Sequence, residues 1–381
     1  MRRPDLFSRL YLYLKRNGLA VTLKRINSAI KKRLVIGLGL NKREYFRDDT
    51  IHLAFYPSGG LGDYIISRAV LEEIILLGNF DITIFCNRED YGRAVFNDIA
   101  TDIRPWLEYY SSYYKYDVAL LVEHFIHVDA IKEVKVNRLS PNLFKKLKFI
   151  KDNWRELYVD ISEQCWRERI QFERCRVLGL DRWTELRMGK AFDINEKKVT
   201  IPIDFSAECI WQKDFKEKKY ITINYDADAM IKGMQQLKLW TKNGYEKLIC
   251  MVHEQYPKLE VVQLGSEKAQ KINGVDKYLL GTDLEYVKHV VKNSVCHIDC
   301  EGGLVHLATQ LGTKCIVLFG PTPVHMYGYE ENINIVSSIC NNCMGCHAMW
   351  FYKCYRGSDE AICMKEISAE IVFESLKKVI D

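Results

Sequence analysis

The chain has no apolar run approaching the roughly 18–20 residues that a bilayer-spanning helix requires. Its first residues lack the apolar core of a signal peptide, so the expected location is the cytoplasm. Internal repeats and low-complexity tracts are absent as well. No RNA- or DNA-binding motif accompanies the basic residues, and nucleic acid is not expected as a partner. A dinucleotide fingerprint is also missing. Gly60 and Gly62 are followed by Ile65 where G-x-G-x-x-G needs a third glycine, and Cys86 stands where an acid should end the next strand. That failure argues against a Rossmann oxidoreductase.

What is present is a mixed-charge chain of 381 residues, long enough for two domains with separate cores. Its net charge of +5 is unevenly spread. Residues 1–45 hold twelve Lys or Arg against Asp5 and Glu44, a net of +10, so residues 46–381 carry −5. Arg2, Arg3, Arg9, Lys15, Arg16, Lys24, Arg25, Lys31, Lys32 and Arg33 interleave with Leu, Tyr, Ile and Val. That pattern suits a basic helical arm over 1–50, either lying on the anionic inner face of the membrane or packed as a solvated extension.

Beyond the arm, apolar strands alternate with helical patterns. Ile51–Tyr56 reads as a strand, Pro57–Gly62 as a tight loop and Asp63 to Leu77 as a helix. Asp81–Cys86 and Asp117–Val122 are further strands, and Val159–Leu178 is a helix ended by Gly179. A polar stretch over 191–215 suggests a boundary. The alternation then resumes with strand Tyr220–Asn224, helix Thr241–Tyr256, strand Leu259–Leu264, helix Asp283–Lys292 and strand Ser294–Ile298. Strands Lys314–Phe319 and Ile333–Val336 follow, and Ser368–Ile380 is a terminal amphipathic helix. The expected fold class is therefore α/β. Two Rossmann-like domains, 51–205 and 206–381, would face each other across a cleft.

The residues able to carry chemistry gather at strand carboxyl ends, where open α/β sheets bind ligands. Ser58, Gly60, Gly62 and Asp63 follow the first strand, with Asp63 either facing the cleft or capping its helix. Lys238 precedes a helix in Lys238-Leu-Trp240-Thr241 and is able to neutralise a phosphate, or is a solvated surface lysine. Glu267 ends a strand where a carboxylate would accept ribose hydroxyls. Asp299, Gly302, Gly303 and His306 form a strand end, a loop and a fresh helix N-terminus suited to a diphosphate. Phe319-Gly-Pro-Thr322 ends the next strand. The bland alternative for this stretch is a tight turn with His306 satisfied in the core.

Gly62-Asp63, Lys238-x-Trp240, Gly265-x-Glu267, Asp299-x-x-Gly302-x-x-x-His306-Leu-Ala, Gly312 and Phe319-Gly-Pro-Thr322 together resemble glycosyltransferase family 9. These are the bacterial heptosyltransferases of the inverting GT-B fold. The resemblance implies that Asp63 is the general base and that Lys238 holds the donor diphosphate. It also implies that Glu267 binds the ribose, and that Asp299, Gly302, Gly303, His306 and Thr322 cradle the donor, with no catalytic metal. Ser58, Gly60 and Gly62 would form the acceptor-side loop. The implied reaction moves heptose from ADP-heptose to a lipopolysaccharide or lipooligosaccharide core, or another cell-envelope glycan. Glu301 departs from the family pattern, which places a small hydroxyl residue there, and so bears on the donor sugar.

Of thirteen cysteines, five crowd into residues 340–363 with the pattern Cys340-x2-Cys343-x2-Cys346-x7-Cys354-x8-Cys363. This reads as a structural zinc or iron site, against reduced thiols or a local disulfide. Cys340, Cys343, Cys354 and Cys363 are the preferred ligands and Cys346 the spare. The autotransporter heptosyltransferases of the same family carry a comparable iron-bound finger, so a protein acceptor is the alternative within this class. From another class, the chain would be a non-catalytic nucleotide-sugar or nucleic-acid binding module.

Overall fold

The computed structural model describes residues 49–158, 165–189, 191–227, 236–347, 349–356 and 360–381. The basic arm expected over 1–50 lies almost wholly outside the described residues. Among the described residues, no helix is long and apolar enough to cross a membrane.

The chain divides into two compact units that interleave along the sequence. The first gathers residues up to 59, 67–163 and 186–194; the second gathers 60–66, 164–185 and 195–381. The partition therefore departs from a single boundary at 205/206. The start of the first long helix, and the segment before residue 186, pack with the second unit.

In the first unit, five strands lie in the order β3-β2-β1-β4-β5. They are β1 (Ile51–Pro57), β2 (Phe80–Cys86), β3 (Asp102–Pro105), β4 (Val118–Val122) and β5 (Ile126–Ile131). The first four are parallel, but β5 runs antiparallel to β4 as a tight hairpin. The sheet is thus mixed rather than wholly parallel; β3 is short and mostly polar, while β5 alternates Ile126, Val128 and Ala130 with His127 and Asp129, the pattern of a half-buried strand. The helices of this part of the chain are α1 (Leu61–Ile75), α2 (Glu89–Phe96), α3 (Trp106–Ser112), α4 (Glu133–Leu139) and α5 (Pro141–Leu157). Ser140 caps α5 through its side chain, with proline at the first position where its missing N–H costs nothing.

The second unit holds a six-stranded parallel sheet in the order β11-β10-β9-β6-β7-β8. Its strands are β6 (Lys219–Asn224), β7 (Leu259–Gly265), β8 (Lys277–Leu280), β9 (His297–Cys300), β10 (Cys315–Phe319) and β11 (Ile333–Val336). The helices of this unit include α6 (Cys165–Leu178), α7 (Glu208–Phe215), α8 (Lys242–Gln255), α9 (Leu284–Lys292) and α10 (Gly303–Gln310). The polar 191–215 stretch thus contains a helix, α7. Thr241 caps α8 by accepting the N–H of Gly244 at 3.0 Å, and Asp283 caps α9. Gly312, at φ 85°, ends the turn after α10, and Gly179, at φ 65°, ends α6; both conformations favour glycine. Trp240, Tyr245, Leu248, Ile298, Leu318 and Phe373 are among the residues filling the core beneath this sheet.

Candidate active site

Asp63 occupies the third position of α1, and its Oδ2 accepts the N–H of Gly60 at 2.9 Å. That bond returns one orphan amide of the helix start to a side chain, so Asp63 does cap. It does more. Its Oδ1 accepts from Nη2 of Arg182 at 2.8 Å, and about a third of its side chain (31%) remains accessible. The Arg182 side chain is fully buried, and its Nη1 reaches Oε1 of the equally buried Glu185 at 2.9 Å. Glu185 in turn accepts from Nε2 of Gln171 at 2.9 Å. Arg182 and Glu185 were not anticipated from the sequence. Their one local sign is a charged pair three residues apart, set among the apolar Trp183 and Leu186.

The end of β9 leads through Gly302 into α10. A Cβ at Gly303 would meet Cβ of Leu61 at 2.8 Å and the amide nitrogen of Gly62 at 3.2 Å, so the N-terminus of α10 abuts that of α1. Two helix starts, each carrying the positive end of its dipole, therefore converge. An oxyanion is the ligand such a place favours.

Lys238 sits beside them. Its Nζ is 3.8 Å from Oε2 of Glu301, whose Oε1 is 3.9 Å from Nε2 of His306. Burial pushes the Glu301 carboxyl above the usual range; Lys238 opposes that shift, while Asp63 and Asp299 add to it. Burial also drives His306 down to about 4, so it is neutral near pH 7. Its Nδ1 is 2.5 Å from the hydroxyl of Tyr329. His306 is thus a satisfied buried side chain that also lines the site. Asp299 is buried too. Its Oδ2 accepts from Nδ2 of Asn224 at 3.0 Å and lies 3.6 Å from Nε2 of His297, and burial raises its carboxyl.

The remaining sequence-read residues are placed as follows. Thr322 is buried just past β10. Glu267 is exposed just past β7, where a Cβ at Gly281 would meet its own Cβ at 2.9 Å. Gly60 has open space where a Cβ would stand. Ser58 belongs to the first unit and donates its amide to the carbonyl of Val122 at 2.8 Å.

The cysteine-rich segment buttresses the same site. The amide of Leu237, next to Lys238, donates to the carbonyl of Phe351 at 2.7 Å, and the carbonyl of Pro321 accepts the amides of Cys343 and Met344, each at 3.0 Å. Burial raises the Cys343 thiol to about 12, and Cys363, Cys346, Cys354 and Cys340 all push it the same way, so the five thiols share one neighbourhood. Among the described residues, however, no three His, Cys, Asp or Glu side chains converge closely enough to hold a metal ion. The expected ligand set of Cys340, Cys343, Cys354 and Cys363 is thus neighbouring but not assembled, and all four are free thiols.

Residues 167–351 match the model of glycosyltransferase family 9 (heptosyltransferase). No curated protein sequence matches the chain. Among solved structures, the chain is similar to the ADP-heptose lps heptosyltransferase II of E. coli, at TM-score 0.54 and 13% identity over 87% of this chain and 98% of that one. It is also similar to TibC of enterotoxigenic E. coli, a dodecameric iron-containing heptosyltransferase solved in complex with ADP-D-β-D-heptose. There the TM-score is 0.58 and the identity 13%, over 89% of this chain and 78% of TibC. A glycosyl transferase family 9 protein from Veillonella parvula gives 0.53 and 12%, over 87% and 97% of the two chains. At such identities the structural likeness speaks for the fold, and the family match speaks for the chemistry. Residues 167–351, just under half of the chain, match the glycosyltransferase family 9 domain, and the protein is a glycosyltransferase with the GT-B fold of those solved structures.

Proposed function

We propose that the protein transfers heptose from ADP-heptose, with inversion, to a lipopolysaccharide or lipooligosaccharide core or another cell-envelope glycan. The observation that carries this reading is the Asp63 carboxylate, held at 2.8 and 2.9 Å beside two abutting helix N-termini. Asp63 takes the proton of the acceptor hydroxyl as its oxygen attacks the anomeric carbon. The departing diphosphate is met by Lys238 and the amides around Gly302 and Gly303, which supply electrostatic stabilisation without a divalent ion. Glu267 receives the ribose hydroxyls, and Asp299, His306 and Thr322 shape the donor pocket. Ser58, Gly60 and Gly62 form the acceptor-side loop. The donor is favoured by the family match and by the ADP-heptose bound in TibC.

A thermal-shift panel of ADP-heptose, GDP-sugars and UDP-sugars tests the donor, because a ligand that binds only the folded state raises its melting temperature. Asp63→Ala should lose transfer by at least about 10²-fold while donor binding persists. Unchanged turnover in that variant removes the mechanism.

A protein acceptor is the second reading, favoured by the cysteine-rich segment and the fold of the iron-containing TibC. In either reading, Cys340, Cys343, Cys354 and Cys363 hold a structural zinc or iron, supported by the shared neighbourhood of their thiols. The basic arm, net +10 over 1–45, holds the enzyme peripherally on the inner face of the cytoplasmic membrane. Sedimentation with anionic but not neutral vesicles, lost on deleting residues 1–45, is the expected result for the arm.

A further inference from the structure

We propose that Arg182 and Glu185 are positioning residues for Asp63, the guanidinium orienting the carboxylate and Glu185 offsetting its charge so that Asp63 stays basic enough to accept a proton. This rests on the reading of Asp63 as the base. The geometry is that of a relay. Arg182 bonds Oδ1 of Asp63 at 2.8 Å with one nitrogen and Glu185 at 2.9 Å with another, and both Arg182 and Glu185 are wholly buried. The backbone N–H of Arg182 is tied to the carbonyl of Met326 at 3.0 Å, and Gln171 anchors Glu185 from α6. With Gly60 bonded to the other oxygen, the carboxylate is gripped on both sides.

A lone guanidinium at this distance would stabilise the ionised carboxylate and weaken it as a base, commonly by one to three pH units. Paired with Glu185, the buried unit is neutral overall, so orientation is obtained with less loss of basicity. Other groups also face this pair. Glu301 and His306 interact electrostatically with Asp63, Tyr327 faces Arg182, and Lys238 and Lys197 act on His306. His306 is neutral near pH 7, and burial holds the Tyr327 phenol protonated. Removing Glu185 and removing Arg182 should therefore move the base in opposite directions, an effect that a merely structural role does not produce.

The test is the pH profile of kcat/KM for transfer from ADP-heptose to a lipooligosaccharide core acceptor. It is run on the full chain and on Asp63→Asn, Arg182→Gln, Arg182→Lys and Glu185→Gln. Glu185→Gln should move the acid limb down by about one pH unit; Arg182→Gln should move it up and lower kcat about 10²-fold through loss of alignment. Arg182→Lys keeps the charge and should recover the position of the limb and part of kcat. Donor affinity, measured by calorimetry with ADP-heptose, should stay within about threefold of wild type in every variant, which also certifies folding. If Asp63→Asn retains turnover, the base assignment falls and this inference with it. If Asp63→Asn is inactive but the limb of Glu185→Gln and Arg182→Lys matches that of Arg182→Gln, the positioning role alone is overturned.

Discussion

The imidazole of His306 lies so close to the backbone of Gly62 that an added methyl group there would meet its Cδ2 at 2.5 Å. The start of α1 therefore rests on a buried ring that is itself held by Tyr329. Gly62→Ala must push that ring or tilt the helix, at a cost of about 1–3 kcal/mol. Urea denaturation should show the lower midpoint, and transfer should fall with it as Asp63 is displaced. A midpoint equal to wild type would mean that the ring yields freely.

His306 also makes stability depend on pH. Its folded value is about 4, below the roughly 6.5 of an unfolded histidine. Above pH 6.5 neither state binds the proton; between about 6.5 and 4 only the unfolded chain does, so stability falls as pH falls through that window. The wild-type slope should exceed that of His306→Gln by up to about 1.4 kcal/mol per pH unit. Parallel slopes would show that the ring protonates in place.

Glu301 is an acid where the proposed donor diphosphate sits, 3.8 Å from Lys238. Binding a diphosphate there should raise its proton affinity further, so nucleotide binding takes up a proton and weakens as pH rises. Glu301→Gln should bind ADP about five- to tenfold more tightly at pH 8, equivalent to roughly 1 kcal/mol, with a flatter pH profile. Calorimetry in two buffers of different ionisation enthalpy measures the proton uptake. An unaltered affinity would place Glu301 away from the phosphates.

The cysteine-rich segment hydrogen-bonds both donor loops, through Phe351 to Leu237 and through Cys343 and Met344 to Pro321. Those bonds use backbone groups, so Cys343→Ser should raise the Kd for ADP severalfold only by loosening the segment that carries them. Elemental analysis of the purified wild type should find close to one zinc or iron per chain, and Cys343→Ser should lose it. Full metal content with four serines at 340, 343, 354 and 363 would dismiss the site.

Much of the scaffold was legible because it is written in short-range terms. Thr241 and Asp283 cap their helices as their side chains allow, and Gly312 and Gly179 end theirs by adopting positive φ. The buried strands of the second sheet announced themselves as apolar runs, whereas β3 and β8 are short and half-polar and left no such trace. The compact units were harder to read, because residues 60–66 and 164–185 join the second unit by packing rather than by any composition shift.

The sequence by itself determined the α/β alternation, the strand–loop–helix cradle from Asp299 to Thr322, and the placing of Asp63 at a helix start. Each follows from periodicity, capping and backbone freedom, which act over a few residues. Only the tertiary structure decided that Arg182, 119 residues away, grips Asp63, and that Glu301 turns towards Lys238 and His306. Such pairings depend on where whole elements pack and on how far burial magnifies a charge, and neither is encoded in local spacing.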